Sequence, residues 1–290
     1  MKNYFLLCNV LTLALIFLFT GVKDIRAGEK TISVEDAFKT GLVSGKIFGK
    51  GGYTGDIIKL KMKNLSNHPV SLSVEAGRRL DSKDSTIQDI LVTKSVTLAL
   101  LGNETKTFLL SGMCCQAHNA APDSGRIFLI GKMGDSNLVK LAQFIDLNKW
   151  YNNYIAQSAV WVISDNNPIE DIGGSDPVSK KLQEFVSKIT GKPIPKYKIE
   201  YDRRNGSVYS GVPAKISGTF EYEIFNNGVV TFGIYDSEGH AVQMFFADVP
   251  KNRGKYVFNY EFKASDLPKG NYYVRLRLDG QIKKEEKFSF

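Results

Sequence analysis

Cysteine, histidine and tryptophan are scarce in this 290-residue chain, at three, three and two. Three cysteines cannot build the paired framework of a small disulfide-stabilised domain. No GxSxG occurs, so there is no nucleophile elbow, and no HExxH, so zincin hydrolysis is excluded. EF-hand spacing is missing as well. "GKGGYTG" at 49–55 lacks the GK[ST] ending of a phosphate loop and misses GxGxxG by one place; it reads as a turn before a strand. Only one long apolar run exists, Phe5 to Phe19, and it is short of the roughly 20 residues that a spanning helix needs.

That run, with Lys2 before it and Ala27-Gly28 behind it, reads as a signal peptide over residues 1–27, the alternative being an uncleaved anchor. Cys8 lies within the run and does not stand where a lipoprotein cysteine would. The protein is therefore expected to be exported, whether secreted, periplasmic or at the cell surface. The formal charge of +8 becomes +6 without the leader, which carries Lys2, Lys23, Arg26 and Asp24. The excess is spread out, as expected of solvated lysines, although an anionic polymer or envelope surface is a conceivable contact. Sequons stand at Asn64, Asn103 and Asn205, all in expected turns.

Alternation of apolar and polar residues dominates the chain beyond the leader. Ile58-Leu60-Met62 and Val70-Leu72-Val74 flank a polar break, and Val96-Leu98-Leu100 and Phe108-Leu110 flank another; each pair reads as an antiparallel hairpin. A further strand is expected over Arg126 to Gly131. The period then changes. Leu138, Leu141, Phe144 and Ile145 have helical spacing, with Ser136 or Asn137 as the cap. A second helix carries Ile155, Ala159, Val162 and Ile163 on one face, with Gln157 and Trp161 one turn apart beside them. The third has Asp176 as cap, Pro177 in its first turn, the stripe Val178, Leu182, Phe185 and Ile189, and Gly191 as its stop. "GKPIPKYK" reads as a stiff linker. Strand signals then run to the end, with turns at Asp236–Gly239 and Asp279-Gly280.

The expected fold is mainly β: two immunoglobulin-like β-sandwich domains, at 28–191 and 199–290, joined by a linker at 192–198. A helical insert of about 136–190 lies between them or packs on the first.

The segment "MCCQAHNAAP" (113–122) concentrates what chemistry there is. Cys114 and Cys115 with His118 have a ligand-like spacing, but a structural zinc needs four ligands, and His68 and His240 fall in distant turns. A hydrolase dyad of either thiol with His118 has poor geometry three residues along one strand. A vicinal disulfide would strain the peptide between the sulfurs. The favoured reading is plain alternation on a strand, with one cysteine in the core and the other outward.

Two resemblances bear on these residues. "AQSAVW" (156–161) is similar to the T-Q-x-A-[IV]-W segment of bacterial adhesins with an internal thioester, departing at the leading threonine. That resemblance implies a bond from Cys115 or Cys114 to Gln157, with Cys115 preferred on strand geometry. Over most of residues 35–172, "GGYTGD", "MCCQAHNAAP" and "AQSAVWVISDN" resemble a family of exported bacterial proteins without an assigned activity. Its M-C-x-Q-x-H-N-x-x-P pattern falls on Cys114, Gln116, His118 and Asn119, which makes Cys114 the family cysteine. "GIYDSEGHAV" and "DLPKGNYYVRLRLDG" resemble the immunoglobulin-like modules of type IX secretion C-terminal domains and flagellar hook-capping proteins, although the chain ends in "KFSF" without a basic tail.

The function expected is a non-catalytic binding or structural protein of the envelope, contacting a protein or polysaccharide, with no nucleic acid and no cofactor. The alternatives are a covalent thioester adhesin and a cysteine-dependent enzyme. Candidate site residues are Cys114, Cys115, Gln116, His118, Asn119, Gln157 and Trp161; no metal site is assigned.

Overall fold

Period-two alternation lays about half of the described residues down as strands, and which strands pair is decided at two turns that meet. The computed structural model describes residues 31–173, 176–194, 196–202, 210 and 212–289. The leader and the sequon at Asn205 fall outside these residues. In chain order the first elements are β1 (Ile32–Ser33), α1 (Val34–Lys39), β2 (Val43–Gly49), β3 (Asp56–Asn64), β4 (Val70–Val74), β5 (Arg78–Ser82), β6 (Ile90–Val92), β7 (Val96–Leu100), β8 (Thr105–Cys114) and β9 (Ile127–Met133). β2, β3, β8, β6, β5 and β9 close into a barrel in that order, while β1, β4 and β7 form a separate three-stranded sheet. One core holds residues of both, from Leu60 and Phe128 to Leu72 and Leu100. The first half is thus a closed ring with an added sheet rather than the simple two-sheet sandwich expected.

Neither expected hairpin forms. β3 pairs with β8, and β4 with β7, so the β3–β4 connection passes from barrel to sheet where the β7–β8 connection returns. Asn64 holds the crossing together. Its Nδ2 donates to the carbonyls of His68 and Leu101, at 2.7 and 2.9 Å, and its Oδ1 accepts from Ser66 N at 3.0 Å. Asn103 N donates to Ser66 O at 2.8 Å, which ties the two turns to each other. A Cβ on Gly102 would collide with the main chain of Asn67, so only glycine lets the turns touch. Local alternation specifies strands; the partner comes from this long-range contact. Asn64 is fully buried with its amide in use, which removes it as a glycan acceptor.

Three helices follow: α2 (Ser136–Asn148), α3 (Tyr154–Ser164) and α4 (Pro177–Thr190), with a 3-10 turn at Ile169–Asp171 between the last two. The cap of α2 is Asp135, one residue before those expected, accepting from Asn137 N and Leu138 N. Asn153 caps α3 in the same way. In α4, Asp176, Pro177 and Gly191 take the expected roles, Gly191 at φ 75°. Leu141, Ile145, Ala156, Ala159, Val160, Leu182 and Val186 form a second core with Leu91, Met113 and Cys115 from the barrel wall. Phe144 stacks on Phe185 with centroids 4.0 Å apart.

The remaining strands are β10 (Tyr197–Tyr201), β11 (Pro213–Ile224), β12 (Gly228–Tyr235), β13 (Ala241–Lys251), β14 (Gly254–Lys263), β15 (Asn271–Leu278) and β16 (Gln281–Ser289). They form two antiparallel sheets, β10-β11-β14 and β13-β12-β15-β16, around one core centred on Phe232. β15 buries Tyr272, Val274 and Leu276 and turns Arg275 and Arg277 to the other face, as alternation requires. Asp279-Gly280, at φ 51° and 79°, makes the tight β15–β16 turn. β10 begins at Tyr197, inside the stretch read as linker, and the Tyr197 hydroxyl bonds Glu170 beside α4. Among the described residues no helix is long and apolar enough to cross a membrane.

Arg78 fastens the first half. It is 3 % exposed; its Nε donates to Glu75 at 2.7 Å and its Nη1 to Glu35 at 2.7 Å and to Gly131 O at 2.9 Å. It therefore links α1, the end of β4 and β9. Lys39, then Arg78, hold the Glu35 carboxyl down to about 2 from 4.5 by hydrogen bonding and charge. A folded value below the unfolded one stabilises the fold fully above about pH 4.5, and that contribution disappears as pH falls toward about 2. Arg78→Gln is expected to cost about 2–3 kcal/mol at neutral pH, because it removes a buried cation that bridges two partly exposed carboxylates and the buried Gly131 carbonyl, and to make acid unfolding shallower in that window. Urea denaturation at several pH values checks this; unchanged stability and an unchanged acid limb would contradict it.

Candidate functional site

The candidate segment begins where a strand loses its neighbour. β3 pairs with β8 only as far as Asp56 opposite Ser111, and the last main-chain bond on that edge runs from Gly112 N to Gly55 O at 2.8 Å. The opposite edge continues against β6, with Ile90 facing Cys114 and Cys115 N donating to Asp89 O at 2.8 Å. Two residues after Gly112, Cys114 turns its N–H and C=O toward the vacated side. Gln157 of α3 stands there. Cys114 N donates to Gln157 Oε1 at 2.8 Å and Gln157 Nε2 donates to Cys114 O at 2.8 Å. A side-chain amide thus substitutes for the missing strand, and α3 supplies the next bonds at helical spacing. Ser164 Oγ donates to Cys115 O at 2.6 Å, and the Asp165 carboxylate accepts from Ala117 N. Gln157, Trp161, Ser164 and Asp165 form one stripe of the helix and its cap.

A second set of bonds comes from the two residues just before β6. Gln88 Oε1 accepts from Gln116 N at 3.1 Å and from Trp161 Nε1 at 3.3 Å, while Gln88 Nε2 donates to Asn119 O at 3.0 Å. Asp89 N donates to Gln116 Oε1 at 2.6 Å, and Gln116 Nε2 returns a bond to the Asp89 carboxylate at 2.9 Å. Arg79 Nη2 reaches the same carboxylate at 3.0 Å. Asn119 also donates to Ser85 O at 3.2 Å. Buried main-chain groups thus find partners along the whole segment from Cys114 to Ala117.

Both sulfurs are free thiols and both are buried, at 0 % and 5 % exposure. Alternation sends them to opposite sides as expected, but neither side is solvent. Cys114 enters the barrel core, and Cys115 enters the helical core. The outward placement expected for one of them is therefore corrected: α2 and α3 cover that face of the wall. Burial pushes the Cys114 thiol up to about 12. Burial raises the Cys115 thiol as well, with the neighbouring Cys114 and the Asp89 carboxylate adding to it. Burial thus works against the thiolate at both sulfurs. His118 is exposed, unlike either sulfur. Among the described residues no group of three or more His, Cys, Asp or Glu could hold a metal ion.

Trp161, 4 % exposed, walls the segment off from a cleft of about 370 Å³. Tyr154, Ser158, Asp171, Lys198 and Tyr201 also line that cleft, and neither cysteine does. The structure brings Cys114, Cys115, Gln116, Asn119, Gln157 and Trp161 together and leaves His118 exposed. Sequence reasoning missed Gln88, Asp89, Ser164 and Asp165. The one available signal was the i, i+4, i+8 series Gln157, Trp161, Asp165 on an otherwise apolar helix.

No family model and no curated protein matches the chain.

Gln157→Leu keeps the volume and leaves the Cys114 N–H and C=O buried and unpaired. The expected loss is about 2–4 kcal/mol in urea denaturation. Trp161→Phe, which removes one long bond from a well-packed ring, should cost less, about 1–2 kcal/mol. Loss of under about 0.5 kcal/mol for Gln157→Leu would show that the amide is dispensable.

Proposed function

We propose that this is an exported, non-catalytic protein that acts by binding at the cell envelope, with a C-terminal immunoglobulin-like β-sandwich module. The observation that carries the reading is the state of its most reactive side chains. Both thiols are sealed in separate cores with raised pKa, and the polar groups around them are spent on main-chain bonds. A catalytic site needs the reverse: an activated nucleophile, a base within reach and room for a substrate. The polar residues of the segment hold α3 to the barrel wall. On this reading they are structural, and the surfaces remain for recognition. Support for the C-terminal module is the pair of three- and four-stranded antiparallel sheets around one aromatic core, together with the resemblance of its sequence. Export rests on the leader.

A second reading has one specific observation in its favour. Gln157 lies 43 residues from Cys114 in sequence and meets it in space. In a thioester, Cys114 Sγ would bond Gln157 Cδ, and Nε2 would leave as ammonia with the thiol proton. The contact is made with the Cys114 main chain, while its sulfur lies in the barrel core and that of Cys115 in the helical core to which α3 belongs, so both sulfurs stay candidates. Attack would expel Nε2 and with it the bond to Cys114 O, leaving that buried carbonyl unpaired, which is why the structural reading stands first.

Intact mass separates the two. The first reading predicts the mass of an unmodified chain and alkylation of Cys114 and Cys115 only after denaturation. A mass lower by one ammonia, restored by methylamine, would establish the thioester instead. Rapid alkylation of either thiol in the native protein near neutral pH would reopen the enzymatic alternative.

A further inference from the structure

The outer face of the barrel wall gathers charge of one sign. Lys59, Lys61 and Lys63 alternate along β3 with the buried Leu60 and Met62, so all three point outward. Same-face neighbours on a strand stand about 7 Å apart. Lys46 on β2 is exposed and directly opposite Lys61. Like charges facing each other across two strands repel. Among the described residues no carboxylate lies within ion-pair distance of any of the four, whereas lysines elsewhere, such as Lys39, Lys198 and Lys215, are paired. The registered neighbours of Lys61 and Lys63 include hydroxyls, Ser44 and Thr105 on either side of Lys63 and Thr107 beside Lys61, whereas Lys59 lies between Phe48 and Leu109.

We infer that this face of β2, β3 and β8 binds a linear acidic polysaccharide, its carboxylate or sulfate groups lying along the lysine rows. This deepens the reading of the protein as an envelope binding module and rests on it. The complementarity is specific in kind. A line of ammonium groups with interleaved hydroxyls suits a polymer that carries both anions and hydroxyl groups. Nucleic acid is disfavoured, because the rows hold no arginine, and the nearest aromatic, Phe48, is half-buried and offers no open ring for stacking. A bilayer is disfavoured, because the exposed apolar residues of the next row, Leu109 and Ile127, are mid-sheet strand residues that cannot reach deeply into lipid.

The test is retention of the purified protein on immobilised alginate, a polyuronate, against neutral dextran. The inference predicts binding to alginate alone, weakened at least tenfold between about 0.05 and 0.5 M salt by screening. Lys46→Gln/Lys61→Gln/Lys63→Gln should lower it tenfold or more with an unchanged melting temperature. Lys140→Gln/Lys181→Gln/Lys188→Gln, which removes the same charge from α2 and α4, should change it less than threefold. Equal loss in both triple variants would mean undirected attraction and would overturn the inference. So would equal retention on dextran, or binding to phosphatidylserine vesicles without binding to alginate. Shortening of the alginate chains would instead overturn the non-catalytic reading, so the two failures are distinguishable.

Discussion

The first half of the molecule depends on one amide that stands in for a strand. β8 outlasts its neighbour β3 by several residues, and an open strand edge next to a hydrophobic core is costly, because its N–H and C=O groups have no water to turn to. Gln157 closes that edge with a donor and an acceptor at 2.8 Å each, the same pattern a strand would offer. The consequence is architectural. α3 is held in register with the barrel wall, Trp161 is fixed under Gln88, and Ser164 and Asp165 fall on the next groups of the segment. The helical core and the barrel core thereby share one wall, with Cys114 on one side and Cys115 on the other.

That arrangement explains the chemistry of the paired cysteines. Each thiol occupies a small apolar position, as free cysteine commonly does. The nearby imidazole of His118 is exposed, while both thiols are buried. A motif that looks reactive in sequence is, in the fold, a junction between two packed layers. Its polar residues are numerous because a main chain between two cores must find all its bonds in side chains.

How much of this was legible varied with the range of the interaction. α4 could be read from its local signals, since Asp176, Pro177 and Gly191 act within the helix itself. The alternation of β15 and its Asp279-Gly280 turn were equally plain, because a strand's faces and a tight turn are set by neighbouring residues. The hairpins were misread because Asn64 and the turn at Leu101-Gly102 act on each other across 37 positions, and a polar break looks the same whether the chain doubles back or crosses to another sheet. The closed barrel was hidden for the same reason: β2 joins β9 through only two residue pairs, Ile47 with Phe128 and Phe48 with Ile127. At the site, Gln157 and Trp161 could be marked as polar or bulky exceptions on an apolar helix. Gln88 and Asp89 could not, because "TIQDI" carries no pattern beyond the apolar residues that flank it.

The clamp makes a claim about cooperativity that native-state hydrogen exchange tests most directly. If Gln157 and the α3 stripe are the last partners of β8, the amides of Cys114, Cys115 and Ala117 open only when the barrel opens. Their exchange free energies should then equal those of Leu60 and Leu91 deep in the wall. Exchange of the Cys114 amide through a local opening several kcal/mol below the barrel core would contradict the account, because α3 could then leave the wall without unfolding it.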